Sequence, residues 1–286
     1  MQLKGENFLS LLQSIIMGIV QGLTEFLPVS SSGHLVLFGS FLGIKTDTGI
    51  VFEILLHIGT LISVVFVFYR DILGMIKAFF EMASDIAKGH GLGLKKNPHR
   101  VMLIMVIVAT VPTGLMGVLL GGYFERVFAS VTMVSVMLIV TGTLLYMANN
   151  IKPGSKDTGD VKISDALIIG VFQGLAITPG ISRSGSTIFA GLTRGFSREL
   201  ATRFSFVMSI PAILGAAILE FWKYYGEGAL TGSLTTAFAG MTAAAVAGTI
   251  AIRFLVEIIK KRKLSYFSYY CWIVGAGSLI IGLLMG

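Results

Sequence analysis

Residues 21–34 read QGLTEFLPVSSSGH. This stretch holds a carboxylate (Glu25), three hydroxyls (Ser30, Ser31 and Ser32) and an imidazole (His34). Gln21 and Glu25 are four apart, so on a helix they share one face. Pro28 stops that helix. The next one starts near His34, which gathers unpaired backbone N–H groups and serine hydroxyls at its amino end, an arrangement that suits an anion. Three bland alternatives accompany this chemistry. Glu25 could be a helix-end carboxylate reaching interfacial water, the serines could only cap a helix, and His34 could be a structural hydrogen-bonder. The functional reading gives Glu25 a divalent cation to bind or a proton to move.

A second stretch, 179–187, reads PGISRSGST. Arg183 stands among Ser182, Ser184, Ser186 and Thr187. Arginine offers fixed, paired donors that keep their charge, and it suits phosphate. Its alternative role is to snorkel to a basic surface. Together the two stretches describe phosphoryl chemistry: a cation on the phosphate oxygens, a nucleophile or activated water, and a proton carrier. Candidate phosphate contacts are Gln21, Ser30, Ser32, Ser182, Ser184 and Thr187. Glu53 and His57 form a further pair four apart. They could relay protons, support the site from behind, or join two helices.

These groups are set in an apolar chain. Of 286 residues, 54% are hydrophobic and 13% charged, against about 25% charged in an ordinary soluble domain. The mean hydropathy is +0.84. Several apolar runs approach the ~20 residues needed to cross a bilayer, and the alternating pattern of a membrane barrel is absent. The expected class is an all-α integral membrane protein. The net charge of +7 comes from loop clusters such as Lys260, Lys261, Arg262 and Lys263, a topology signal rather than a sign of nucleic acid. The single cysteine, Cys271, excludes an internal disulfide. No removable signal peptide is expected at the amino end.

The sequence also repeats itself. When residue n is laid on n + 152, Gly18, Gln21, Gly22 and Leu23 fall on Gly170, Gln173, Gly174 and Leu175. Ser30, Ser32 and Gly33 fall on Ser182, Ser184 and Gly185, and Gly39, Gly43 and Phe52 on Gly191, Gly195 and Phe204. The expected organisation is a first repeat, 1–147, with a re-entrant hairpin at 8–44. A polar cytoplasmic linker, 148–162, leads to a second repeat, 163–286, with a re-entrant hairpin at 164–195. Long apolar runs near 50–69, 101–121 and 131–147, and near 201–221, 233–255 and 267–285, give each half three spanning helices. An odd number of spans inverts the second half relative to the first. The basic loops then share one side, which is the cytoplasmic one. Segment 71–87 has apolar residues at helical spacing and reads as a helix lying in the interface. If the hairpin arms instead crossed fully, the span count would change while the polar turns kept a similar depth. Non-helical backbone at that depth needs protein or a water-filled cavity around it.

With these residues in view, the chain resembles the undecaprenyl-diphosphatase family linked to bacitracin resistance. The resemblance covers essentially the whole length. It rests on QGLTE followed by PVSSSGH, and on PGISRSGST. The family takes Glu or Gln at the position of Gln21, so this chain has one carboxylate fewer there than some relatives, against any mechanism needing two acids at that spot. The resemblance implies removal of the terminal phosphate from undecaprenyl diphosphate, the lipid carrier of cell-wall synthesis. It also implies a divalent cation (Mg2+ or Ca2+) and a place in the bacterial inner membrane with the site open to the outer face. Bacitracin would compete for the lipid rather than bind the protein. By the same resemblance, Glu25 binds metal or acts as base, Ser31 is nucleophile or phosphate ligand, His34 is proton carrier or alternative nucleophile, and Arg183 clamps the diphosphate.

Two rivals are weaker. Acid-phosphatase-like membrane enzymes share an SGH element but need a histidine after their SR motif, and no histidine follows Arg183. A transporter or flippase of a phosphorylated polyprenyl lipid would share the broken helices but would release no phosphate in detergent. Gly18, Gly22, Gly39 and Gly43 could pack helices within one chain or across a homodimer.

Overall fold

The computed structural model describes residues 10–35, 50–128, 130–152, 154–225 and 234–285. The returning arm of the first expected hairpin, 36–44, with Gly39 and Gly43, lies outside them. Eleven α-helices of eight residues or more are found among the described residues. They are α1 (Leu11–Phe26), α2 (Ile50–Val67), α3 (Tyr69–Ala87), α4 (Pro98–Leu119), α5 (Gly121–Phe128) and α6 (Val131–Asn150). After the linker come α7 (Ile163–Leu175), α8 (Arg183–Thr193), α9 (Arg198–Tyr225), α10 (Leu234–Lys260) and α11 (Ser265–Met285). All six long apolar runs of the sequence are helical. The segments Pro98–Leu119, Val131–Asn150, Arg198–Leu219 and Leu234–Lys260 are each long and apolar enough to cross a bilayer. With their large apolar side chains turned outward, Val118, Leu119 and Ile250 among them, the chain is an all-α, multi-pass membrane protein.

Local chemistry sets the helix ends. Ser10 caps α1, its hydroxyl accepting from Gln13 N while the Gln13 side chain accepts from Ser10 N. Asn97 caps α4, with Pro98 in the first turn where no donor is lost. At Phe68 the chain turns by 83° between α2 and α3, so α3 runs across α2 as an interfacial helix would. Asp71 of α3 meets Arg203 of α9 at 2.7 Å. Asp85 holds Lys96 at 2.9 Å and Arg100 at 2.7 Å. Arg100 and Lys96 hold the Asp85 carboxyl down at about 2.

The bundle is closed by small residues. A Cβ on Gly18 would strike the Gly240 carbonyl, and one on Gly22 would come 2.5 Å from the Ala244 carbonyl. Gly59 sits in the same way against Met241. Gly18 and Gly22 are thus used inside the chain, to bring α1 and α2 onto α10. Gly170 makes the matching approach of α7 to Ala109 and Pro112 of α4. Helix α1 of the first half packs on α10 of the second, α7 of the second half packs on α4 of the first, and α6 packs on α11. Exchanging the halves leaves this pattern unchanged. Residues 27–30 and 176–182 form the non-helical breaks after α1 and before α8.

Candidate active site

Each break is shaped by its residues. In the first, Pro28 follows the C-cap Leu27, and Ser30 takes a left-handed φ of 69°, a conformation few non-glycine residues adopt. Helix resumes at 31–35. In the second, Gly180 supplies a φ of 90°, and Ser182 caps α8 by accepting from Gly185 N at 3.2 Å. The aligned serines repeat one contact: Ser30 and Ser32 hydroxyls are 3.2 Å apart, and Ser182 and Ser184 hydroxyls 3.3 Å apart.

The two breaks meet at Glu25. Its carboxylate accepts from Gln21 Nε2 at 2.9 Å and from Ser31 Oγ at 2.7 Å, and forms an ion pair with Arg183 Nη2 across 158 positions of sequence. The side chains of Glu25 and Arg183 are only 8% and 17% exposed. Burying a charge at such depth requires a partner, and each residue supplies the other's. One guanidinium nitrogen, Arg183 Nη1, is buried with no hydrogen-bond partner among the described residues. It remains available to an anion.

A cavity of about 420 Å3 opens onto this pair. Its polar lining includes Glu25, Ser30, Ser31, Ser32, His57, Gln173, Ser182 and Arg183, with Thr24, Thr110 and Thr113. Its apolar lining includes Gly114, Gly117, Val118, Ile177, Pro211, Ile213 and Leu219. Pro112 and Pro211 lie inside α4 and α9. Each removes one helical donor beside the cavity. The smaller, polar end of the cavity can hold a charged head and the larger, apolar part a chain.

Not every candidate faces this space. His34 is 3% exposed and does not line the cavity. Its Nδ1 lies 2.8 Å from the Ser30 carbonyl and its Nε2 2.6 Å from the Tyr270 hydroxyl, with the two rings stacked. Thr187 points away as well, to Ser205 Oγ of α9 at 2.6 Å, and Ser184 lies outside the lining. Gln21 is fully buried and reaches the site through Glu25. His57 lines the cavity, and Glu53 meets it through the backbone carbonyl, 2.9 Å from Nδ1. Gln173 enters the site without having been singled out, although its alignment with Gln21 marked it. Its Oε1 is buried and unpartnered, and its Nε2 lies 3.3 Å from Thr113 Oγ1. Thr141, Tyr270 and Cys271 support the breaks from distant helices, and no local pattern announces them.

A metal site can be tested on the donors present. No cluster of three His, Cys, Asp or Glu side chains occurs among the described residues. The oxygens that remain are the Glu25 carboxylate and Gln21 Oε1, which is buried with no partner. That set fits a hard cation that takes one or two protein oxygens and completes its shell with phosphate and water.

The fold and the site together define a polytopic helical membrane protein whose buried acid–base pair and hydroxyls face an amphipathic cavity. The family model described as Bacitracin resistance protein BacA matches residues 14–277. The chain is 48% identical over 272 residues to an undecaprenyl-diphosphatase of Alkaliphilus metalliredigens, covering 95% of this chain and 98% of that relative. It is 41% identical over 281 residues to an undecaprenyl-diphosphatase of Methanosphaera stadtmanae, covering 97% and 100%. A relative of the same name in Halothermothrix orenii is 43% identical over 93% of this chain. The chain belongs to this family.

Proposed function

We propose that the protein hydrolyses undecaprenyl diphosphate to undecaprenyl phosphate and inorganic phosphate, returning the lipid carrier to cell-wall synthesis. The observation that carries this reading is the Glu25–Arg183 pair at the polar end of the cavity, with Ser31 bonded to the carboxylate and Arg183 Nη1 unused. The relatives' common name supports it.

The diphosphate enters with its charge toward Arg183 and its prenyl chain along Val118 and Leu219. Arg183 pairs with the terminal phosphate and loosens its hold on Glu25. Ser31 Oγ, already donating to Glu25 Oε2, then attacks phosphorus. The new Oγ–P bond forms as the bridging P–O bond breaks, the hydroxyl proton passes to Glu25, and the prenyl monophosphate leaves. Water cleaves the phosphoserine, gives up a proton to the site, and releases inorganic phosphate. The amino end of α8 and the serine hydroxyls face the charge that develops. Glu25 and Gln21 Oε1 would hold a magnesium or calcium ion, whose contribution is to neutralise phosphate oxygens.

The two repeats are inverted about the meeting point of the breaks. The exchange of packing partners between halves, α1 with α10 and α7 with α4, supports that arrangement. The polar linker and the basic 260–263 loop face the cytoplasm, and the cavity faces the outer side of the inner membrane. The test is phosphate release from a polyprenyl diphosphate by protein in detergent, with and without magnesium or calcium. Metal-dependent release by the wild type, lost in Glu25→Ala and Arg183→Ala, is the expected result. A folded wild type that releases none would overturn the reading and return attention to lipid transport in vesicles.

A further inference from the structure

His57 is the histidine that faces the cavity. Its Nδ1 lies 2.9 Å from the Glu53 carbonyl. A carbonyl only accepts, so Nδ1 carries the proton of that bond and the ring is held in one orientation. The other nitrogen, Nε2, has no hydrogen-bond partner among the described residues, while the ring lines the cavity. His57 shares the cavity wall with Glu25, Ser31 and Arg183. His34 contrasts with it at every point: both its nitrogens are engaged and it stands outside the lining.

We propose that His57 Nε2 makes a further catalytic contact, to the terminal phosphate of the bound diphosphate, on the wall of the cavity supplied by α2. The inference rests on the phosphatase reading. An imidazole nitrogen held in this way donates to a phosphate oxygen when protonated and accepts from a protonated phosphate when neutral. A glutamine amide offers both a donor and an acceptor, whereas leucine keeps much of the bulk and offers neither.

The experiment uses the full chain in detergent and compares wild type with His57→Leu and His57→Gln. Two quantities are read: kcat/KM on a polyprenyl diphosphate, and the rise in unfolding midpoint given by methylenediphosphonate, a diphosphate mimic that cannot be hydrolysed. In His57→Leu, kcat/KM falls roughly ten- to hundredfold, the size expected for losing a hydrogen bond to a charged group. The diphosphonate shift shrinks with it, while the midpoint without ligand stays near that of the wild type. In His57→Gln both quantities recover most of the way. If His57→Leu matches the wild type in turnover and in the diphosphonate shift, the contact does not exist. Should His57→Leu fail to fold, His57→Ala takes its place in the same two measurements. A wild type that binds diphosphonate but releases no phosphate sinks the phosphatase reading alone, and the diphosphonate shift then decides the contact.

Discussion

Pro28 and Gly180 align between the two halves, and each offers its backbone carbonyl to a side chain from a distant helix. Gly180 O accepts from Thr141 Oγ1 of α6 at 2.8 Å, and the same hydroxyl accepts from Ser182 N at 2.9 Å. Among the described residues, Pro28 O has only the thiol of Cys271 of α11, at 3.6 Å. A hydroxyl that both gives and takes fixes two backbone groups, whereas a thiol is a weak donor and fixes one. The break that carries Arg183 is therefore held rigidly. The break that carries Ser31 is held mainly through His34, which Tyr270 anchors at 2.6 Å. The same serines on the same repeated frame thus flank a firmly held Arg183 on one side and a more compliant Ser31 on the other, which the proposed mechanism uses as anion clamp and nucleophile.

Breaking the clamp should cost most. Arg183→Ala removes the donor that faces developing charge, and kcat should fall roughly 10²–10³-fold. Arg183→Lys should recover only part of this, because a lysine cannot make the paired contact. A phosphate-release assay ranks the two. Next comes Thr141→Val, which leaves the Gly180 carbonyl and the Ser182 N–H buried without partners. It should cost about 2–4 kcal/mol in a denaturant titration and lower turnover with it, because Ser182 and Arg183 are neighbours. Wild-type activity in this variant would mean that the second break holds its shape unaided.

On the other side, Tyr270→Phe should cost about 1–2 kcal/mol of stability by removing the hydroxyl that meets His34 Nε2 at 2.6 Å, with only a small change in turnover, as His34 does not face the cavity. A loss of turnover as large as that of Arg183→Ala would show the imidazole entering the chemistry. The smallest effect is expected for Cys271→Ala, within about 1 kcal/mol in the same titration, since a weak bond and little volume are lost. If this variant proves as costly as Thr141→Val, the contrast between the two breaks disappears.

Much of this contrast was legible before any coordinates. The gap-free match of Gln21, Ser30 and Ser32 to Gln173, Ser182 and Ser184 located both breaks, and apolar run length located the helices. Pro28 ended α1 by local chemistry that needs no tertiary context. The direction in which His34 points was not legible, because Tyr270 lies 236 positions away. Neither was the Thr141 clamp, since a threonine within an apolar helix gives no sign of the carbonyl it will meet. The short helix α5, between runs read as separate spans, was not legible either, whereas the 83° turn at Phe68 is the one that an interfacial helix over 71–87 requires.

The ion pair between Glu25 and Arg183 also has a consequence for biosynthesis. Glu25 enters the membrane with α1, and its counter-charge is 158 residues away. At about 5–20 residues per second, a carboxylate destined for burial waits roughly 8–30 seconds before its arginine is synthesised. During that interval Gln21 and Ser31 are the local side chains that can solvate it. The order of translation thus requires the first repeat to carry its own temporary polar shell, and those same side chains later complete the site.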